Sequence, residues 1–275
     1  MTGVQTCALP ISGLFADARL RDALVPAFVT DFSRTTRLLT LADGSVVEVA
    51  FDQGEVVAGR RRDALCEVEL ELKQGDPAAL FGLARRLVDE AGLRLDNLSK
   101  AGRGYRMLPS APAPGPQRAV APSPAPECDA GALCQAVFAS CLAHLQANEQ
   151  GVLASTDPEY LHQMRVALRR VRSAFVAFRP AIAAEAAAPL IEGARTLARE
   201  LGPARNLDVF MTEMLPPVQE AFPGHPALAA LARAATTMRR AARRRAREAV
   251  RGAAYQNWLL DMGEWLSRAP LSANA

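Results

Sequence analysis

The stretch from His162 to Pro180, HQMRVALRRVRSAFVAFRP, carries one histidine and five arginines within an otherwise apolar pattern. A helix advances about 100° per residue, so positions three, four and seven apart share a face. Steps of three, four and three place these four side chains on one stripe: His162, Arg165, Arg169 and Arg172. Val171 and Phe175 fall elsewhere around the helix and can pack. The stretch therefore predicts an amphipathic helix with a cationic face.

Spacing alone leaves more than one interpretation of this cationic face open. A guanidinium is a rigid fork of donors that suits phosphate oxygens, so arginines in a row can bind a polyanion. A solvated basic face is the commoner meaning of a run of charges. A second stripe keeps nucleic-acid binding as a further alternative: Arg233, Arg240, Arg244, Arg247 and Arg251. Against that alternative, only 5% of the residues are aromatic and able to stack on bases.

Composition sets the broad class of the protein. The 275 residues are half hydrophobic, which is enough for two domains with real cores. A net charge of +3 identifies no class of partner. Five cysteines form no C-x-x-C pair, and Cys134 and Cys141 share a helix face, as expected of buried thiols in a reducing compartment. No signal peptide or run of ~18 apolar residues is evident, so we expect a cytoplasmic protein without a membrane span.

The chain divides into four parts by composition. Residues 1–12, MTGVQTCALPIS, are typical of a translated sequencing adapter, so we leave them out of fold reasoning. Residues 13–108 contain strand-like patterns, and residues 109–126 are a Pro/Ala-rich linker that favours extended chain. Residues 127–275 predict a helical bundle. Its helices are expected at roughly 130–150, 158–178, 182–201, 205–220, 226–251 and 253–267.

The strand-like part carries clear turn signals. RLLTLADGSVVEVAFDQGEVVAG predicts a hairpin turn at Asp43-Gly44 and a second turn near Gln53-Gly54. LCEVELELKQG alternates strictly, which predicts a further strand. DPAALFGLARRLVDEAGL then predicts a helix with Asp76 as its N-cap and Gly92 as its end. SKAGRGYRML is expected to form a final strand.

Three carboxylates recur at a period of two: Glu67, Glu69 and Glu71. Residues two apart on a strand face the same side, so these side chains line one face while aliphatic residues line the other. An acidic face in solvent is the usual outcome. The alternative is a barrel with a polar interior, where adjacent carboxylates need basic residues or a divalent cation such as Mg²⁺ or Mn²⁺.

Blocks of sequence resemble two known families. DFSRTTRLL, VEVAFDQGEVVAG, LCEVELELKQGD and LSKAGRGYRML together resemble the C-terminal half of a CYTH domain, the triphosphate tunnel metalloenzyme fold, and are most like bacterial inorganic triphosphatases. DPEYLHQMRVALRRVRSAFVAFRP with LARELGPARNLDVF resembles the first half of a CHAD domain. The resemblance implies an α+β chain, with a partial antiparallel β tunnel followed by an all-α helical bundle. It also implies a fragment of a bacterial CYTH–CHAD protein.

The CYTH resemblance implies a metal and triphosphate site. Its metal ligands would be Asp52, Glu67, Glu69 and Glu71, holding Mg²⁺ or Mn²⁺, and its triphosphate ligands would be Arg34, Lys100 and Arg103. The family's defining N-terminal strand, which carries its Glu-x-Glu-x-Lys motif, does not stand ahead of these blocks, so about half of the tunnel is expected. We therefore expect the full-length parent to be a metal-dependent inorganic triphosphatase and this chain to be inactive. No individual catalytic residue is assigned.

The CHAD resemblance implies binding of inorganic polyphosphate without chemistry. The matching residues are His162, Arg165, Arg169, Arg170, Arg172, Arg179 and Arg205, and Asp208 matches an acidic position that orients arginines. The expected function is therefore binding of inorganic triphosphate or polyphosphate. A non-catalytic polyphosphate-binding protein with a degenerate tunnel is the first alternative, and a nucleic-acid-binding helical module is the second.

Overall fold

The computed structural model describes residues 18–111, 115–125 and 127–268. They form two compact units. The first takes its described residues from 18–36, 50–69 and 98–111, and the second from 37–49, 70–97 and the described residues of 115–268. The adapter-like opening, residues 1–12, lies outside the described residues.

An antiparallel sheet of three strands follows the short helix α1 (Ala18–Ala23). The strands are β1 (Val29–Thr40), β2 (Val46–Ala58) and β3 (Arg61–Gln74), in the order β1-β2-β3. The predicted turn at Asp43-Gly44 is confirmed, because Gly44 has a φ of 83° and the Asp43 carboxylate accepts a 3.0 Å hydrogen bond from the Ser45 amide. The sheet agrees with the predicted antiparallel β part of an α+β chain.

The prediction of a turn at Gln53-Gly54 is wrong. The second turn follows Ala58, where Gly59 takes a φ of 60°, and β2 runs straight through Gly54. A Cβ at Gly54 would lie 2.1 Å from the carbonyl oxygen of Asp31. The glycine therefore allows two strands to approach closely, which its letter alone does not distinguish from a turn.

The prediction of a final strand over SKAGRGYRML is also wrong, because these residues form helix α3 (Lys100–Arg106). Ser99 caps it, since the Ser99 hydroxyl accepts a 3.1 Å hydrogen bond from the Gly102 amide. Tyr105 packs edge-on against Phe28, with 5.0 Å between ring centroids. The cap and this aromatic contact outweigh the poor helix propensity of two glycines.

Helix α2 (Ala78–Ala91) follows β3 within the second unit. The Asp76 carboxylate accepts a 2.8 Å hydrogen bond from the Ala78 amide at its start. Gly92 ends the helix with a φ of 64°, as predicted.

The helical part matches most of the predicted segments. Its helices are α4 (Ala130–Ala147), α5 (Glu149–Ala154), α6 (Pro158–Ala177), α7 (Ala184–Val209), α8 (Leu215–Ala221), α9 (Pro226–Arg251) and α10 (Ala253–Arg268). The predicted break between residues 201 and 205 does not occur, because α7 passes through Pro203 and continues through a π-helical turn (Phe210–Met214) into α8. An interior proline removes one backbone hydrogen bond and crowds the carbonyl four residues before it, and here the fully buried neighbours Leu201 and Ala204 anchor the helix on both sides of Pro203.

The helical core is built mainly from α4, α6 and α7. Phe138, Met164 and Leu201 are fully buried in it. Cys134 and Cys141 are buried free thiols, as predicted. Within the described residues, Ala130–Ala154 is the one helical stretch long and apolar enough to cross a membrane by length and composition, and its buried side chains belong to this core.

The described part of the linker, residues 115–125, has neither helix nor strand but is hydrogen-bonded to the helical part. The backbone of Gln117 exchanges two hydrogen bonds, of 2.9 and 2.8 Å, with the side-chain amide of Asn148. The Ser140 hydroxyl donates to the carbonyl oxygen of Val120 at 2.7 Å. The extended conformation fits the composition, and these contacts hold it against α4.

A buried histidine joins α4 to α6. His144 is 4% exposed, and its Nε2 lies 2.9 Å from Oε1 of Gln163. Gln163 donates its own amide hydrogen to Glu159, which leaves its oxygen to accept from the imidazole. The other ring nitrogen faces Nη1 of Arg170 at 3.4 Å. Burial lowers the pKa of His144, Arg170 acts in the same direction, and the Gln163 hydrogen bond opposes them.

We call the helices α4 to α10, which all belong to the second compact unit, the helical unit. We predict that acid destabilises the helical unit through His144. A histidine whose folded pKa is depressed contributes stability above its unfolded pKa of about 6.5, and that contribution is lost as the pH falls. The free energy of unfolding, measured by urea denaturation at pH 7.5 and pH 5, should decrease in acid for the unsubstituted chain. The decrease should be smaller in His144→Gln and unchanged in His162→Gln. An equal decrease in all three proteins would contradict the assignment.

Candidate functional site

One face of the sheet gathers charged side chains from three strands and a helix. We call this group the sheet cluster: Arg34 on β1, Asp52 on β2, Glu67 and Glu69 on β3, and Lys100 at the start of α3. All five belong to the first compact unit. The period of two along β3 brings both glutamates to the same side, and the Ser99 cap fixes the position of the lysine.

Asp52 is the centre of the sheet cluster. It is fully buried, and both of its oxygens accept from Arg34, at 2.7 Å from Nε and 2.6 Å from Nη2. Lys100 Nζ lies 2.7 Å from the same carboxylate and 2.6 Å from Oε1 of Glu69. Lys100 also contacts Glu67, and Arg34 also contacts Glu69. Two cations are thus shared among three carboxylates, which leaves the cluster with one net negative charge.

The ionisation of the sheet cluster follows from this pairing. The Arg34 hydrogen bond lowers the pKa of Asp52 although burial acts to raise it, and Lys100 adds to the lowering. The Lys100 hydrogen bond likewise lowers the pKa of Glu69. Burial acts to lower the pKa of Lys100, but its hydrogen bonds to the carboxylates outweigh burial and raise it. Asp52, Glu69 and Lys100 are therefore charged at neutral pH.

The three carboxylates fit the needs of a divalent cation. Asp52, Glu67 and Glu69 each offer an oxygen, and these oxygens lie within 4.8 Å of one another. Ligands around an octahedral Mg²⁺ at 2.0–2.1 Å are separated by about 3 to 4 Å, so small rotations of exposed Glu69 suffice. Carboxylate oxygens are the hard donors that Mg²⁺ and Mn²⁺ prefer.

Phe32 is a member of this face that sequence reasoning missed. Lys100 Nζ lies 5.1 Å and Arg34 Cζ 5.7 Å from the centroid of its ring. Such contacts stabilise a cation by about 0.5–1 kcal/mol when exposed. Its position two residues before Arg34 on β1 was a usable signal, because both side chains point to the same side.

Two residues predicted for this site lie outside the sheet cluster. The Glu71 carboxylate pairs with Lys73 at 2.9 Å and is mostly exposed. Arg103 pairs with Asp63 at 3.1 Å. Alternation gave the direction of the Glu71 side chain but not its partner, and the strand predicted over Arg103 gave neither.

The helical unit carries a separate group of cations, which we call the arginine patch: Arg165 and Arg169 on α6 and Arg205 on α7. Arg165 Nη1 donates to the carbonyl oxygen of Ala198 at 2.7 Å. Burial lowers the pKa of Arg165, and the positive charges of Arg205 and Arg169 lower it further. Among the described residues, one carboxylate forms an ion pair with this patch: that of Glu213, which lies 3.6 Å from Arg205. The patch is therefore positive overall.

The remaining predicted polyphosphate ligands divide by position. His162 is half-buried on α6, Arg172 is exposed on the same helix, and Arg179 is exposed in the 3₁₀ turn after it. Arg170 turns away from the patch, where it donates to Ser140 at 3.1 Å and faces His144. The sequence predicted that it would join the others, but helical rotation carries it to the α4 side.

Asp208 pairs with a second set of arginines. The sequence indicated that Asp208 orients arginines but did not identify which ones. Its fully buried Oδ1 accepts from Arg239 Nε at 2.6 Å and from Arg243 Nε at 3.1 Å. Arg243 also donates to the carbonyl oxygen of Thr156, just before α6. Asp208 lies one turn after Arg205 on α7, so both face the same side of that helix. A spacing of four between the α9 arginines was the available signal.

Not every member of the arginine stripe predicted on α9 is exposed. Arg247 donates to the carbonyl oxygens of Val152 and Ser155, at 3.1 and 3.0 Å, and so caps the end of α5. Arg244 lies 3.9 Å from Glu248. The other members are exposed: Arg233, Arg240 and Arg251.

Comparison with known proteins identifies the families that the two parts of the chain match. A model of the CHAD domain matches residues 136–275, more than half of the chain, and a model of the CYTH domain matches residues 5–105. The chain belongs to the CHAD domain family, and its architecture is that of a CYTH–CHAD protein. Both resemblances drawn from the sequence are confirmed.

Two relatives add detail. An inorganic triphosphatase of Haemophilus influenzae is 40% identical over 96 residues, which cover 34% of this chain and 27% of the relative. The chain thus spans about a quarter of that protein's length. The crystal structure of the CHAD domain from the plant Ricinus communis is 31% identical, with a TM-score of 0.50 over 55% of this chain and 50% of that one.

We predict that the sheet depends on Asp52 and not on Glu71. Asp52→Asn leaves Arg34 and Lys100 short of a buried counter-charge and should destabilise β2 by about 2–3 kcal/mol. Glu71→Gln breaks an exposed pair and should change stability by less than about 1 kcal/mol. Native-state hydrogen exchange of the β2 amides measures both effects. Equal loss of protection in the two variants would show that the pairing is not structural.

Proposed function

We propose that this protein binds inorganic triphosphate and longer polyphosphate, with a divalent cation at the sheet cluster and without one at the arginine patch. The observation that carries the proposal is the sharing of Arg34 and Lys100 among three carboxylates. Both cations can turn towards phosphate oxygens when another positive charge takes their place. The name of the Haemophilus influenzae relative supports triphosphate as the ligand.

At the sheet cluster the carboxylates would hold Mg²⁺ or Mn²⁺. A divalent cation held by these carboxylates would supply Lewis-acid chemistry and positive charge for a bound phosphate. Arg34 is 39% exposed on its side chain, so its fork can reach solvent and bind a phosphate from one side. Lys100 supplies a compact charge from the end of α3, and Phe32 limits where both cations can swing.

At the arginine patch the ligand would be a chain of phosphates. Arg165 is pre-oriented by Ala198, and Arg169 and Arg205 lie close enough to depress its pKa. An anion that binds between like charges held together in this way offsets their mutual repulsion. His162 can add a donor when protonated. Arg172 and Arg179 extend the positive surface along α6 and beyond it.

We propose that this chain hydrolyses triphosphate weakly or not at all. Phosphoryl transfer depends on positioning and on neutralising charge around the phosphates. In the described residues the sheet cluster offers two cations for that purpose, and both already contact carboxylates. The hydrolase activity is that of the relative, and a purely binding role is the first alternative. We propose the cytoplasm as the location, in keeping with the buried free thiols.

The two lysines of the chain allow a sharp test at the sheet cluster. Lys100→Met removes the cation that all three carboxylates share, so it should raise affinity for Mn²⁺ about tenfold when no phosphate is present. The same change removes a phosphate ligand, so it should lower affinity for triphosphate about tenfold at saturating Mg²⁺. Electron paramagnetic resonance of free Mn²⁺ and titration calorimetry measure these constants.

Lys73→Met is the matched control, because Lys73 pairs with Glu48 and Glu71 away from the sheet cluster. It should change neither constant. Glu67→Gln with Glu69→Gln should abolish Mn²⁺ binding. If Lys100→Met lowers both affinities together, the lysine does not compete with a metal and the proposed site fails.

The arginine patch has its own test. Arg165→Ala with Arg169→Ala should weaken polyphosphate binding tenfold or more while leaving helicity unchanged, because each removes a cation that forms no ion pair with a carboxylate of the described residues. Affinity for polyphosphate, measured by fluorescence anisotropy, should also fall steeply with salt as counterions are released.

Arg195→Ala with Arg199→Ala is the control for the arginine patch. It removes the same charge from the same unit, but both arginines pair with Glu192 on an exposed face of α7. This variant should lose less than about twofold. If both double variants lose affinity equally, binding is diffuse, and competition by DNA at equal phosphate concentration would then favour the nucleic-acid alternative.

A further inference from the structure

The segment between β3 and α3 is bound to the helical unit through a series of specific contacts. We call residues 78–97, which comprise α2 and the six residues after it, the strap. The strap lies in the part of the sequence that the CYTH model matches, but it belongs to the same compact unit as the helices that the CHAD model matches.

The contact of α2 with α10 is antiparallel and uses one face of each helix. Phe81 lies against Gly263, where a Cβ would come within 3.0 Å of its ring. Arg85 donates to Asp261 at 2.7 and 3.0 Å and also binds Glu264. The three strap residues that face α10 follow a spacing of four: Phe81, Arg85 and Asp89.

The end of the strap enters the helical unit more deeply. Arg94 forms an ion pair with Glu149, whose side chain is 8% exposed. The hydroxyl of Tyr255, a buried residue on α10, donates to the other oxygen of Glu149 at 3.3 Å. The Leu95 amide donates to the fully buried side chain of Gln256 at 2.9 Å, and Leu95 packs against the helical core.

These contacts make Glu149 depend on the strap. Burial raises the pKa of Glu149, and the Arg94 charge opposes that shift. Without Arg94 this carboxylate would be buried beside a tyrosine with no cation, which is costly unless the group takes up a proton. A helical domain cut at the Pro/Ala-rich linker would lose this cation and expose Gly263 and Gln256.

We propose that the helical domain of this protein has a docking surface on α5 and α10, and that its partner is the strap, an amphipathic, arginine-bearing helix supplied by the CYTH segment. The linker is then not the structural boundary between the two domains. The nearest divisions between the two compact units fall between Glu69 and Leu70, before the strap, and between Asn97 and Leu98, at its end. The docking surface involves neither phosphate nor metal, so its test is independent of the proposed function.

Cleavage of the folded chain tests the docking surface. A protease site is inserted between Ala111 and Gly115 in the full-length chain, which is then cut and passed over a gel-filtration column. The two pieces should elute together, because the strap on the first piece remains bound to α10 and Glu149 on the second. Separation of the unsubstituted pieces would overturn the proposal.

Matched variants identify the contacts responsible. Arg85→Met with Arg94→Met should weaken the association of the pieces at least tenfold, whereas Arg86→Met, which breaks an exposed pair with Glu90 on the same helix, should change it by less than twofold. Adding Glu149→Gln to Arg94→Met should restore part of the loss, since no unpaired charge is then buried. Hydrogen exchange on α10 in the uncut chain should rise with the same ranking. Equal effects of Arg86→Met and the double variant would overturn the proposal.

Discussion

A carboxylate taken out of water needs a cation, and Asp52 is the place where this constraint governs the sheet. It is fully buried, it lies on the central strand, and it holds Arg34 and Lys100 from the two sides. Those cations in turn hold Glu67 and Glu69 near each other. Without Asp52, Arg34 would lose the carboxylate that holds both of its donors, and Lys100 would lose its fully buried counter-charge. A cluster built in this way can exchange its internal cations for a metal ion and a phosphate.

The helical unit meets the same constraint in two different ways. Where an arginine has a structural task, it is paired or capped, as Arg239 and Arg243 are on buried Asp208 and Arg94 is on Glu149. In the arginine patch, Arg165 and Arg169 instead have one another and Arg205 for neighbours. The contrast between neutralised and accumulated positive charge separates structural arginines from those available to an anion. Counting arginines in the sequence does not make that separation.

The sequence predicted what periodicity controls and missed what depends on a distant partner. A period of two placed Glu67 and Glu69 on one face, and steps of three and four placed Arg165 and Arg169 on another. The partner of Glu71 is its own neighbour Lys73, and Arg170 turns to His144 on α4, neither of which a period reveals. Gly54 predicts a turn from the sequence, because a glycine that permits close contact between strands cannot be distinguished there from a turn glycine. The sequence places the strap in the strand-rich part. Composition reveals where a linker lies, but it does not reveal which segments before the linker contact the helices after it.

The central claim is that the protein has two separate places for phosphate, one that needs a divalent cation and one that does not. Calorimetric titration of the full chain with medium-length polyphosphate, with Mg²⁺ and then with a chelator, tests it most directly. The account predicts two binding events with Mg²⁺, of which Lys100→Met weakens only one, about tenfold, and a single event in chelator, which Arg165→Ala with Arg169→Ala weakens tenfold or more. A single event that both variants weaken alike, whether or not Mg²⁺ is present, would contradict the account.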